Sequence, residues 1–179
     1  LKPRRSAPSR TVRAEPHAGA MPTVETEVKL DFKDVLIRPK RSSLASRSQV
    51  SIERKFTFPN SKREFAGVPL IAANMDTIGT FEVAATLAKR QCLTAVHKHY
   101  TVEQWKSWAS GPGREILPFV AVSTGILPRD IDKLAAVLEA VPELSMVCID
   151  VANGYSEAFV QCIRDVRKRW PKLTIMAGN

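Results

Sequence analysis

Five short apolar runs, separated by helix-forming stretches, constrain residues 68–179 more tightly than any other feature of the chain. They are Val68–Ala73, Leu93–His97, Pro118–Val122, Met146–Ile149 and Leu173–Ala177. A strand with one solvated face alternates polar and apolar residues, whereas these runs are almost continuously apolar, as strands buried on both faces are. The segments between them carry helix signals. Thr80–Arg90 opens on a Thr placed to cap, has Glu82 in its first turn and ends on Lys89-Arg90, the order the helix dipole favours. Thr101–Lys106, Ile131–Val141 and Glu157–Trp170 read as three more helices, the last strongly amphipathic. The repetition of strand and helix predicts a parallel sheet covered by helices.

An open doubly wound sheet and a closed (β/α)8 barrel both satisfy that pattern. No G-x-G-x-x-G follows the first strand, and polar residues gather at the carboxyl end of every run: Asn74 to Thr77, His97 to His99, Ser123-Thr124, Asp150 with Asn153, and Asn179. Polar groups at all strand ends are how a barrel builds a site. The expected fold is therefore α/β, a partial TIM (β/α)8 barrel with about five of its eight strands, since a whole barrel needs about 250 residues. Residues 21–179 form this amino-terminal portion. Residues 29–66 before it read as irregular or short antiparallel β, closing the amino-terminal mouth.

Residues 1–20 stand apart, rich in Arg, Ser, Pro and Ala, and read either as a disordered basic leader or upstream extension, or as an organelle transit segment. They hold +4 of the formal charge of +9, so the remainder is only modestly basic, which suits an anionic small molecule as well as a polynucleotide. No nucleic-acid partner is expected. No stretch approaches 18 consecutive apolar residues, so no membrane span is expected. Cys92, Cys148 and Cys162 lack metal-ligand spacing and sit among aliphatic residues, as reduced thiols do. A cytoplasmic setting fits them.

Three strand ends carry the candidate chemistry. His97 and His99 flank Lys98; they read either as a metal-binding pair with no third ligand of telling spacing, or as satisfied polar residues beside the site. Lys98 faces away from them, toward a negatively charged or amide-bearing ligand. Asp150-Val151-Ala152-Asn153-Gly154 places a carboxylate at a strand mouth, beside a small residue that permits close approach. Asn153 or Ser156 can cap the next helix, which leaves Asp150 for a ribose hydroxyl or a carboxamide. Asn74-Met75-Asp76-Thr77 ends the first strand; Asp76 and Thr77 can serve as helix caps, while Met75 at the rim suits a flat aromatic ligand. The basic run Arg38–Arg47 reads as a solvated loop or as an anion-binding arm. Nucleophile elbows, P-loops and paired catalytic carboxylates are absent from the sequence.

Several long stretches, including KLDFKDVLIRPKRSSLASRSQV, FAGVPLIAANMDTIGTFEVA, LTAVHKHY and EAVPELSMVCIDVANGYSEAFV, resemble the GMP reductases of the IMP dehydrogenase/GMP reductase family from Met21 to Asn179. IMP dehydrogenases have Ser-Pro where this chain has Ala73-Asn74, and usually a large insert where Trp108–Pro118 is a short connector. The resemblance implies conversion of GMP and NADPH to IMP, ammonia and NADP⁺ through attack of a cysteine thiolate on the purine. It implies that Lys98, Asp150, Val151 and Ala152 contact NADPH. Ser46 and Arg47 are implied to reach the cofactor of a neighbouring subunit in a homotetramer, and Asn74 and Met75 to lie near the purine of GMP or IMP. A potassium ion is implied for the full-length protein, with most of its ligands after Asn179. The catalytic cysteine, its Thr partner and the catalytic Glu have no match among these residues, so no catalytic residue and no metal ligand is assigned within this chain. The alternatives are an IMP dehydrogenase and a non-catalytic truncated product.

Overall fold

The computed structural model describes residues 26–178. The leader at 1–20 and the strand-end Asn179 lie outside the described residues. The chain divides after Leu44, and the two parts are described separately. In the first, a 3-10 turn at Phe32–Asp34 is held by reciprocal capping: Asp31 accepts from the Phe32 amide, and Asp34 accepts from the Asp31 amide at 2.9 Å. These local bonds supply the backbone partners that a strand would seek elsewhere, and no strand forms over Lys29–Ile37.

The second part begins with a 3-10 turn at Arg47–Gln49 and a hairpin of β1 (Arg54–Thr57) and β2 (Glu64–Gly67). It continues as β3 (Ile71–Ala72), α1 (Phe81–Ala88), β4 (Leu93–Val96), α2 (Val102–Ala109), β5 (Val120–Thr124), α3 (Pro128–Ala140), β6 (Met146–Asp150), α4 (Glu157–Arg169) and β7 (Thr174–Gly178). Strands β3 to β7 form one five-stranded sheet in sequence order, and every pairing is parallel. Sequential order with a helix after each strand is the wall of a β/α barrel rather than a doubly wound sheet, whose order reverses.

The central strands β4, β5 and β6 are buried on both faces, as their continuous apolar runs require, whereas β3 and β7 at the edges are partly exposed. Val96, Val120, Val122, Val147 and Ile149 point outward into a core with Trp105, Leu134, Val137, Phe159 and Val166 from the helices. Leu93, Ala95, Ala121, Met146 and Cys148 point inward, joined by Phe65 from the hairpin. The hairpin meets the amino-terminal ends of the strands: Ser61 and Thr174 share a hydroxyl hydrogen bond of 2.7 Å, and the Arg63 guanidinium donates to the carbonyl of Pro118 at 2.5 Å.

Two strands start two or more residues later than expected, and β7 is displaced by one. β3 keeps only two residues of Val68–Ala73, because Pro69 has no amide to donate to a ladder. β5 starts at Val120 and runs to Thr124, since Pro118 and Phe119 belong to a 3-10 helix over Arg114–Phe119. Helix starts follow the side chains available. Thr80, Thr101 and Ser156 accept from the third residue onward in α1, α2 and α4, and Pro128 opens α3. Asp76 and Thr77 do not cap α1, because the chain makes a further turn through Gly79 before Thr80. Replacing Ser156 with Ala should cost about 1 kcal/mol, read as a lower urea midpoint at unchanged slope.

Candidate functional site at the strand carboxyl ends

The carboxyl ends of β3, β4, β5 and β6 lie side by side in the sheet, so the loops after them converge on one end of the wall. After β3 the chain turns tightly, with the Ile78 and Gly79 amides both donating to the Met75 carbonyl. Gly79 must lack a side chain, for a Cβ there would collide with the Ala95 carbonyl. Its own carbonyl accepts from the His97 amide at 2.8 Å, which ties this loop to the end of β4. Met75 is left 62% exposed at the rim.

Asn74 and Asp150 meet across the mouth. The Asn74 side-chain amide donates to Asp150 Oδ2 at 3.1 Å, although β4 and β5 intervene between their strands. Asp150 follows Cys148 by two residues and so shares its inward face. On that face β4 and β5 carry Ala95, Ala121 and Ser123, small side chains that leave room for a ligand. Val151 continues the β6–β7 ladder by donating to the Gly178 carbonyl at 3.2 Å. Beyond it, the Asn153 carboxamide accepts from the Tyr155 amide and Ser156 caps α4. The helix start is thus satisfied without Asp150.

Lys98 lines a cavity of about 430 Å³ with Arg129 and Lys133 of α3, and Trp105 forms part of its apolar floor. Lys133 Nζ donates to the Lys98 carbonyl at 2.7 Å. The acidic residue in the lining, Asp130, already accepts from the Leu127 amide at the start of α3. Three cations facing one carboxylate make this cavity attractive to an anion. Arg129 and Lys133 were not singled out from the sequence. Their signal was there: cations in the first turns of a helix oppose its dipole, and that cost suggests another use for them.

The histidines are occupied within the loops rather than paired on a strand. β4 ends at Val96; His97 Nδ1 accepts from the His99 amide at 3.2 Å and its ring stacks on Tyr100, while His99 Nε2 lies 3.2 Å from Asp76 Oδ1. Asp76 therefore meets the loop after β4 instead of capping a helix. Among the described residues no group of three or more His, Cys, Asp or Glu side chains is arranged to hold a metal ion.

Ser46 and Arg47 are not joined to this cluster by any hydrogen bond. Ser46 caps the turn that Arg47 begins, and accepts from the Ser48 amide at 3.3 Å; Arg47 is exposed. The cysteines are also apart from reactive geometry. Burial pushes the Cys148 thiol up, and the Asp150 carboxylate adds to that; burial and then Asp165 act likewise on Cys162.

A parallel wall in sequence order, with polar groups at its strand carboxyl ends and a cation-lined cavity beside β5, is that of a β/α barrel protein. Residues 29–179 match the IMP dehydrogenase / GMP reductase domain, and the chain belongs to that family. It is 58% identical over 159 residues to a GMP reductase of Phytophthora infestans, covering 89% of this chain and 44% of that protein. GMP reductase 2 of Homo sapiens is 55% identical over the same length, covering 89% of this chain and 45% of the relative. A crystal structure of inosine 5′-monophosphate dehydrogenase from Legionella pneumophila superposes with a TM-score of 0.63 at 26% identity, covering 83% of this chain and 43% of that one. The chain thus spans less than half the length of these proteins.

Proposed function

We propose that this chain contributes the cofactor wall of an NADPH-dependent GMP reductase, which in a form as long as its relatives converts GMP to IMP with release of ammonia. The observation that carries this reading is the 58% identity to a GMP reductase over 159 residues, 89% of this chain. Lys98, Arg129 and Lys133 supply positive charge that suits a dinucleotide phosphate in the cavity beside β5 and α3, while the Asp150 carboxylate stands apart from that cavity at the end of β6. Bound NADPH would supply the hydride. In this reading Lys98 meets a negatively charged part of the cofactor and Asp150 accepts from a carboxamide or ribose hydroxyl, with Val151 and Ala152 along its edge. Met75 packs on the purine beside Asn74. Ser46 and Arg47, turned to solvent, reach the cofactor of a neighbouring subunit in a homotetramer. Potassium belongs to the longer form, and no step here depends on it. No helix among the described residues is long and apolar enough to cross a membrane, which is compatible with a cytoplasmic enzyme.

The test uses the longer form with two substrate pairs, GMP with NADPH and IMP with NAD⁺, following absorbance of the reduced cofactor. Consumption of NADPH with GMP is expected. Reduction of NAD⁺ with IMP alone would make the protein a dehydrogenase, and silence with both pairs would favour a non-catalytic product. In the same form Arg47→Ala should raise the KM for NADPH about three- to tenfold and leave that for GMP nearly unchanged. An unaltered cofactor KM would remove Arg47 from the site.

A further inference from the structure

We infer that Asn74 is a positioning residue for Asp150, acting on the cofactor side of the site rather than on the purine; this rests on the reading of Asp150 as a cofactor ligand. Asn74 stands at the end of β3 and Asp150 at the end of β6, and the 3.1 Å bond between them is formed by side chains 76 residues apart. A carboxylate on a strand end rotates freely about its terminal torsion unless something holds one oxygen. Asn74 does so. Its Nδ2 donates to Oδ2 at 3.1 Å. With one oxygen anchored, the carboxylate is held in one orientation toward a ligand donor such as a carboxamide N–H or a ribose hydroxyl.

The arrangement also determines what Asn74 can offer the purine. An amide has two N–H donors and one carbonyl, and one donor is already directed across the mouth. Met75, the next residue, is 62% exposed at the rim and free to take the apolar contact with a base. The loop after β3 is therefore divided: Met75 serves the base, and Asn74 links that loop to the carboxylate of β6. Asn74 is partly exposed and Asp150 exposed, so neither belongs to the buried core.

The experiment uses the longer form and compares wild type with Asn74→Ala, Asn74→Asp, Asp150→Ala and the double variant Asn74→Ala/Asp150→Ala. NADPH dissociation constants are read by ligand fluorescence, and KM for GMP and kcat by absorbance. Asn74→Ala should weaken NADPH about five- to tenfold with the KM for GMP changed less than about twofold. Asn74→Asp, which sets a second carboxylate against the first, should weaken it further. In the Asp150→Ala background, Asn74→Ala should add nothing, because the group it orients is gone. A raised GMP KM with unchanged NADPH affinity in Asn74→Ala would overturn the assignment, as would additive losses in the double variant. If Asp150→Ala itself leaves NADPH affinity intact, the cofactor reading of Asp150 fails and the positioning role falls with it. If Asp150→Ala weakens NADPH and Asn74→Ala does not, only the positioning role falls.

Discussion

The 179-residue polypeptide, purified and mixed with GMP and NADPH, should oxidise no cofactor beyond the rate seen without GMP. The proposed chemistry needs a cysteine thiolate at the purine, and each thiol of this chain is disqualified by its place. Cys148 faces inward near the site, yet it is only 8% exposed, and burial and Asp150 both push its thiol up. The neutral thiol is a poor nucleophile, so proximity does not make it reactive. Cys92 precedes β4, at the end of the wall opposite to the strand mouths. Cys162 lies on α4 and packs against the outer core. Losing an activated nucleophile costs on the order of a million-fold in rate, well below detection in an absorbance assay. GMP-dependent loss of the reduced-cofactor signal from this polypeptide would show that the nucleophile lies among these residues after all.

Replacing Trp105 with Ala should have the largest effect on stability, about 3–5 kcal/mol. Trp105 is 1% exposed, and its ring meets Phe81 edge-on at 5.0 Å and Trp108 at 5.9 Å. Phe81 in turn stacks on Trp108 at 4.3 Å and on Tyr100 at 3.8 Å, and Tyr100 stacks on His97. An aromatic ladder thus runs from the helix layer to the end of β4. Truncation leaves a void that the stacked neighbours cannot collapse into, and it opens the floor of the Lys98 cavity. A domain holds only about 5–15 kcal/mol in total, so much of its margin should disappear. Urea unfolding measures the change; a loss under about 1 kcal/mol would mean that the aromatic cluster repacks. Trp105→Phe, which keeps an aromatic ring in the gap, should cost less than Trp105→Ala.

Much of the wall was legible because it depends on local periodicity. Continuous apolar runs announce strands with two buried faces, and Thr80, Thr101 and Ser156 mark helix starts by satisfying amides a few residues away. The structure departs from the local apolar pattern where an amide is missing, as at Pro69, or where a neighbour in space takes the side chain. Val68–Ala73 is apolar enough for a strand of six, but only Ile71 and Ala72 find ladder partners in β4. Asp76, in position to cap, instead meets His99 of another loop. The site divides in the same way. Polar residues at strand mouths could be picked out one by one, since a carboxylate such as Asp150 ends an otherwise apolar run. The contribution of Arg129 and Lys133 beside Lys98 required α3 to be docked against β5.

From residues alone came the alternation of strand and helix and its polar strand ends, because each depends on which residues follow one another within a few positions. The tertiary structure decided which ends meet. Asn74 holds Asp150 across two intervening strands, Lys133 reaches the Lys98 carbonyl, and His99 turns to Asp76. Such pairs are 76, 35 and 23 residues apart. They form only once a buried parallel sheet has fixed its strand order, which hydrophobic burial drives and no local pattern records.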